Sequence, residues 1–284
     1  MYIVSTSRTG EFAKNMMTSS SMKEVEVERK VFPDGERYFR LLEDLGDREV
    51  AVVGNTNIDS DILELSFLLD AAREEHPSKL IAVIPYFGYA RQHMIYKKGE
   101  AISAKVLIAS ISEYADEIIT IDIHDTSSFR YSKSKCRDFH ASASIADYFK
   151  EKNIDLVMAP DDGAFFRAKE VADILGCKSG FMNKKRIDAT TVEYNMDHLD
   201  ASGMRVLLVD DIISTGGTIL RSMEIIKNSG ASAVFVSATH GLFINDSARK
   251  IAAECAELVV TDTIKSSYSK INVSRKLSDF ITGD

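Results

Sequence analysis

Short apolar runs alternate along the chain with longer stretches in which apolar residues recur at helical spacing. That pattern predicts strands alternating with amphipathic helices, and hence parallel sheets rather than sandwiches or bundles. In the first half, an apolar run at 50–53 leads through Gly54-Asn55-Thr56 to a helix near 61–73 and then a strand at 80–84. In the second, a run at 205–209 leads through Asp210-Asp211 and a loop of small residues to a helix near 217–228 and a strand at 233–238. Each half continues with a further helix and strand, ending at 117–123 and at 258–261. The halves rhyme, and two similar α/β domains are the simplest account, each a mostly parallel sheet flanked by helices. The boundary falls near residues 140–150, giving an N-terminal domain over 1–145 and a C-terminal one over 146–284. In this rhyme the first half lacks the acids and the glycine pair.

Those features make 206–220, VLLVDDIISTGGTIL, the richest stretch of the chain. A buried strand delivers two carboxylates to a Ser-Thr-Gly-Gly-Thr turn at a helix start. Backbone N–H groups of Ser214, Thr215, Gly216, Gly217 and Thr218 can converge on a phosphate there, helped by the positive end of the helix and by three hydroxyls. Asp210 and Asp211 suit sugar hydroxyls or a divalent cation rather than the phosphate itself. The plain alternative is a strand-to-helix connection in which Gly and Thr supply only turn and cap chemistry. It leaves two adjacent acids at the end of a buried strand unexplained.

Composition narrows the classes. A formal charge of −8 argues against broad electrostatic binding to nucleic acid or anionic membrane, so a polyanionic ligand needs a local cationic pocket. No apolar run is long enough to cross a bilayer, and Met1–Val4 is followed at once by Ser, Thr and Arg, so a soluble, cytoplasmic protein is expected. The three cysteines, Cys136, Cys177 and Cys255, are widely spaced and match neither a disulfide framework nor a zinc knuckle.

Five further clusters carry candidate chemistry. Phe32-Pro33-Asp34-Gly35-Glu36-Arg37 reads as a surface hairpin turn before a strand at 38–40, although an aromatic plate beside carboxylates also suits a purine. The stretch 85–92, PYFGYARQ, ends a buried strand; Arg91 offers a planar fork for phosphate, while core or subunit packing suits Tyr86, Phe87 and Tyr89. Ile121-Asp122-Ile123-His124-Asp125 and Pro160-Asp161-Asp162 place a histidine and acids where apolar strands run out, either as structural groups or as metal ligands. Asn183-Lys184-Lys185-Arg186 reads as a solvated charge run, or as a mobile loop carrying cations before the polar stretch 188–200.

The Asp-Asp loop resembles the phosphoribosyl-pyrophosphate motif shared by type I phosphoribosyltransferases and ribose-phosphate pyrophosphokinases. With FPDGER at 32–37, PYFGYARQ at 85–92 and GEAISAK at 99–105, the chain resembles the pyrophosphokinases over nearly its whole length. The resemblance implies two phosphoribosyltransferase-like domains. It also implies an enzyme, a ribose-phosphate diphosphokinase, joining ATP and ribose 5-phosphate to give phosphoribosyl pyrophosphate and AMP. Phe32, Asp34 and Glu36 would contact the adenine of ATP bound to a neighbouring subunit, and Arg91 and Gln92 the nucleotide. His124 and Asp161 would hold magnesium (Mg2+), Lys184 and Arg186 would be catalytic, and Asp210, Asp211 and residues 214–218 would bind ribose 5-phosphate. Shared sites imply a homo-oligomer. The chain departs from the family pattern at Ser214 for a common Asp, at Gly216 for a frequent Ala, at His93-Met94 for a common Asp-Arg, and in the continuation after His124. The alternatives are a phosphoribosyltransferase proper, a catalytically silent relative that regulates an active subunit, and a sugar-phosphate-sensing module.

Overall fold

The apolar runs form strands buried on both faces, as expected where helices cover a parallel sheet. The computed structural model describes residues 1–18, 20–186, 192–195 and 201–283, with backbone alone for 183–186 and 192–195. Internal contacts divide the chain into two units, Met1–Phe139 with Ser274–Asp284, and His140–Val273. The last residues therefore lie with the first unit, where the sequence placed them in the second.

The first unit runs β1 (Tyr2–Ser5), α1 (Gly10–Met17), β2 (Lys23–Glu24), the antiparallel hairpin β3 (Val27–Val31) and β4 (Arg37–Leu41), then β5 (Glu49–Val53) and α2 (Asp59–Glu74). It continues with β6 (Lys79–Ile84), α3 (Ser103–Ser112), β7 (Glu117–Ile121), a 3-10 turn at Thr126–Tyr131 and β8 (Lys135–Phe139). The sheet order is β2-β1-β5-β6-β7-β8, every neighbour parallel. Leu65, Leu68, Leu69 and Ala72 line one face of α2 at helical spacing and pack with Val50, Val52, Leu80 and Ile108 in the core.

The second unit opens with α4 (Ser142–Phe149), β9 (Leu156–Ala159), α5 (Phe165–Leu175) and β10 (Lys178–Phe181). A two-stranded antiparallel ribbon follows, β11 (Asn183–Arg186) and β12 (Val192–Asn195). Then come β13 (Arg205–Ile213), α6 (Gly217–Asn228), β14 (Ala233–Gly241), α7 (Ser247–Glu254), β15 (Glu257–Thr261) and β16 (Ser269–Ile271). The order β10-β9-β13-β14-β15-β16 is again parallel throughout. Both units thus trace one path, strand, helix, edge strand, ribbon, then the remaining strands. The predicted rhyme corresponds to β5-α2-β6 against β13-α6-β14. One element exceeds its apolar run: β13 continues through the two acids because Ile212 and Ile213 pair with His240 and Gly241. The cysteines are free and half-buried, and burial pushes the Cys255 thiol up to about 11, in keeping with packing rather than reactivity.

The last helix, α8 (Ser274–Thr282), packs against α1 and is also tied to the first unit through Arg137. Arg137 donates to Phe280 O at 2.9 Å and its guanidinium lies 4.5 Å from the centre of the Phe280 ring. Glu117, only 1% exposed, holds Arg137 at 2.5 Å and Lys79 at 2.7 Å. Burial alone would raise the Glu117 carboxyl, but the hydrogen bonds from Lys79 and Arg137 outweigh it and leave it below its ordinary value. A depressed folded-state value contributes stability above the unfolded value, and that contribution disappears as pH falls through the folded one. Glu117→Gln should therefore cost roughly 2–4 kcal/mol at neutral pH, and the difference from wild type should shrink in acid. Unfolding midpoints measured across pH check this; equal midpoints at pH 7 would contradict it.

Candidate active site

The Asp-Asp turn, the Asp161 loop, PYFGYARQ and the His124 loop follow the C-terminal ends of parallel strands, where open α/β sheets place their ligands, whereas FPDGER is the turn of an antiparallel hairpin. In the second unit, β13 ends at Ile213 and α6 begins at Gly217, leaving Ser214, Thr215 and Gly216 as the turn. Gly216 is the N-cap, with φ +78, and among the described residues no side chain caps the helix. A Cβ there would stand 2.9 Å from Ser247 Cβ and 3.1 Å from Ile251 Cδ1, so the turn needs glycine's freedom. The first amides of α6 have no acceptor within the helix and suit an anion. Thr215 and Gly217 are exposed, while Ser214 and Thr218 are half-buried.

The turn is held from behind by the segment before α7. Ser214 O accepts from Ile244 N at 3.0 Å and from the buried Ser247 Oγ at 2.8 Å. Ile213 O accepts from Leu242 N at 2.9 Å and Phe243 N at 3.1 Å. Sequence reading missed Ser247, since nothing in a lone serine reveals that it supports a loop more than thirty residues away.

Asp210 and Asp211 stand just before this turn. Asp211 is 8% exposed, Asp210 is half-buried, and Asp210 Oδ1 accepts from Asp211 N at 2.8 Å. Burial first, and then the neighbouring carboxylates of Asp211 and Asp161, push the Asp210 carboxyl well above its ordinary value. Asp161 follows β9, the strand beside β13; its Oδ1 accepts from Ala164 N at 3.2 Å ahead of α5. Crowded carboxylates of this kind are relieved by a proton, by hydroxyl donors or by a hard divalent cation, so the oxygen donors fit a magnesium-type ion. Asp162 is exposed.

Lys184 and Arg186 lie on β11, opposite Tyr194 and Val192 of β12. The backbone at 183–186 is therefore a strand where a loop was expected. The side chains of both residues, and most of the stretch 188–200, lie outside the described residues.

In the first unit, Phe32, Asp34 and Glu36 share the exposed turn between β3 and β4, as the hairpin reading anticipated. Phe32 N donates to Glu36 O at 2.8 Å, Glu36 N donates to Asp34 Oδ1 at 3.1 Å, and Gly35 takes φ +92. Beyond β6, Tyr86 and Phe87 are buried, matching the packing reading. Tyr89 is instead exposed, and its hydroxyl donates to Asp59 Oδ1 at 2.6 Å. Arg91 is exposed and Gln92 half-buried. Glu100 organises this loop: its Oε2 accepts from Tyr96 N at 2.8 Å, Lys97 N at 2.9 Å and Gln92 Nε2 at 3.2 Å. The amides of Lys97 and Tyr96 hold its carboxyl below the ordinary value. This gives the GEAISAK segment a physical role that the sequence did not assign. His124 is exposed just past the neighbouring strand β7, with its ring centre 6.3 Å from that of His93.

Two parallel units of one path, the second carrying an acid-flanked turn of small residues before a helix, define a phosphoribosyltransferase-type protein. Comparison with known proteins agrees: residues 135–267 match the phosphoribosyl transferase domain, and residues 1–114 match the N-terminal domain of ribose phosphate pyrophosphokinase. A ribose-phosphate pyrophosphokinase of Thermoplasma acidophilum is 41% identical over 283 residues, covering 100% of this chain and 99% of the relative. One of Thermococcus kodakarensis is 40% identical over 271 residues, covering 94% and 96%. The crystal structure of phosphoribosylpyrophosphate synthetase from Mycobacterium smegmatis shares the fold, with a TM-score of 0.88 at 23% identity over 100% of this chain and 97% of that one. The chain belongs to the ribose-phosphate pyrophosphokinase family, whose members use a metal. No described helix is long and apolar enough to cross a membrane.

Proposed function

We propose that the loops described above divide the work of the family reaction among them. The enzyme transfers the β,γ-diphosphoryl group of ATP to the anomeric hydroxyl of ribose 5-phosphate, giving phosphoribosyl pyrophosphate and AMP. The observation that carries the assignment is the uncapped start of α6 beside Asp210 and Asp211. Amides and hydroxyls of Ser214, Thr215, Gly216, Gly217 and Thr218 hold the 5-phosphate, with the helix dipole behind them. Asp210 and Asp211 accept hydrogen bonds from the ring hydroxyls and orient the anomeric oxygen for in-line attack on the β-phosphorus. Attack at β rather than γ is thus a matter of positioning.

His124 and Asp161 are the magnesium ligands in this reading. Bound magnesium supplies charge neutralisation on the phosphates and a fixed presentation of them. Phe32, Asp34 and Glu36 receive the adenine of ATP held by a neighbouring subunit, and Arg91 and Gln92 contact the nucleotide. The exposure of Phe32 at 45% on a projecting turn supports a homo-oligomer with shared sites. Lys184 and Arg186 stabilise charge that builds on the transferred group. A cytoplasmic enzyme with no nucleic-acid or membrane partner agrees with the charge of −8.

Removing divalent metal tests the magnesium assignment. Product formation should stop with EDTA and return with added magnesium, and Asp161→Asn should need more magnesium for half-maximal rate. A rate indifferent to chelation would overturn it. The support behind the turn gives a second expectation. Ser247→Ala removes one of two donors to Ser214 O, a loss of about 1 kcal/mol in loop order. It should raise the KM for ribose 5-phosphate roughly fivefold with kcat little changed; steady-state kinetics decide, and an unchanged KM would refute the supporting role.

A further inference from the structure

Two positions at which the chain departs from the family pattern meet in the structure. His93 is 8% exposed, and its Nε2 lies 3.2 Å from Asp125 Oδ2. Its other ring nitrogen, Nδ1, is buried without a hydrogen-bond partner among the described residues. An apolar side chain would fill the same space without leaving a polar atom unmatched, so packing alone does not explain an imidazole here. The ring packs edge-on to Tyr96, with centres 6.2 Å apart. Asp125 is fixed in its turn, since its Oδ1 accepts from Ser127 N at 2.7 Å at the start of the 3-10 turn.

The chain positions of the two partners give the contact its meaning. His93 follows Arg91 and Gln92 on the loop after β6, and Asp125 follows His124 on the loop after β7. β6 and β7 are neighbours in the sheet, so the pair ties together two adjacent loops. We propose that His93 is a positioning residue: its contact with Asp125 fixes the loop bearing His124 against the loop bearing Arg91 and Gln92, so that the metal–nucleotide complex meets them in one arrangement. This rests on the assignment of Arg91, Gln92 and His124 to that complex. His93 stands where the family commonly has aspartate, and its contact with Asp125 makes a clasp between the two loops. Its loss should be felt by the nucleotide and not by the sugar phosphate.

The test uses full-length protein with His93→Phe, which keeps an aromatic ring, Asp125→Asn, and the double variant. Titration calorimetry with the magnesium complex of α,β-methylene-ATP reads binding directly, and kinetics read the KM for each substrate. Each single variant should weaken nucleotide binding about tenfold, the double variant no further, and the KM for ribose 5-phosphate should stay within about twofold. Nucleotide affinity unchanged in both single variants, or additive losses in the double, would overturn the clasp. Should His93→Phe fail to fold, Asp125→Asn decides alone. Arg91→Ala and His124→Ala serve as controls. If both bind the nucleotide as wild type does, the nucleotide-site assignment fails and the clasp with it. If they weaken binding while His93→Phe and Asp125→Asn do not, only the clasp fails.

Discussion

Alanine at Lys184 or Arg186 is expected to lower turnover by on the order of 100- to 1,000-fold while changing ribose 5-phosphate affinity by less than about threefold. The asymmetry follows from when the charges are needed. In the proposed assignment, ground-state ribose 5-phosphate is already held by the turn before α6 and by Asp210 and Asp211, all in the described part of the second unit. The β,γ-diphosphoryl group gathers charge only as its bond to AMP breaks, and cations that reach it at that moment act on kcat. In chain order the ribbon of β11 and β12 stands between the edge strand β10 and the acid-bearing β13. Arg186→Lys should restore part of the loss, though a point charge cannot reproduce the guanidinium fork. Kinetics alongside calorimetry with ribose 5-phosphate check the split. Equal losses in turnover and sugar-phosphate affinity would contradict the role.

Gly216→Val should weaken ribose 5-phosphate binding about 100-fold while leaving the fold intact. Two penalties act together. The residue has φ +78, a region that a β-branched side chain scarcely enters, at a cost of roughly 1–3 kcal/mol. Its Cβ would also meet Ser247 Cβ at 2.9 Å and Ile251 Cδ1 at 3.1 Å, and overpacking of that kind typically costs about 1–3 kcal/mol. The turn can relieve both only by moving, and moving misdirects the amides that receive the phosphate. Calorimetry with ribose 5-phosphate and with a magnesium–nucleotide analogue separates the effects. The nucleotide should bind nearly as before; unchanged sugar-phosphate affinity would mean that the turn is not the phosphate site.

Much of the architecture was legible because buried parallel strands write themselves as continuous apolar runs. The runs at β5, β6, β13 and β14 and the spacing of α2 and α6 announced two similar units. Less legible were elements whose conformation depends on a distant partner. β2 is two exposed residues that pair with β1, and β11 carries a run of charge yet pairs with β12. β13 outlasted its apolar run because β14 continues beside it. The affiliation of α8 rests on its packing against α1 and on Arg137 with Phe280, contacts that no local pattern encodes.

The site divides in the same way. The Asp-Asp turn could be read because its chemistry is contiguous: acids, small residues and a helix start occupy neighbouring positions. Glu100, Ser247 and His93 could not: Ser247 and His93 act through other segments, and Glu100 acts through a loop conformation that sequence does not display. Glu100 was inside a recognised motif without an evident task until its three hydrogen bonds were located. His93 and Asp125 looked like unrelated departures and prove to be in contact.

The most direct measurement follows AMP and ADP separately when purified protein meets ribose 5-phosphate, ATP and magnesium. AMP should appear only with both substrates and metal present, in step with phosphoribosyl pyrophosphate, because the β- and γ-phosphoryl groups move as one unit. ADP in place of AMP would mean transfer of the γ-phosphoryl group alone, and would contradict the positioning of the β-phosphorus on which the account depends.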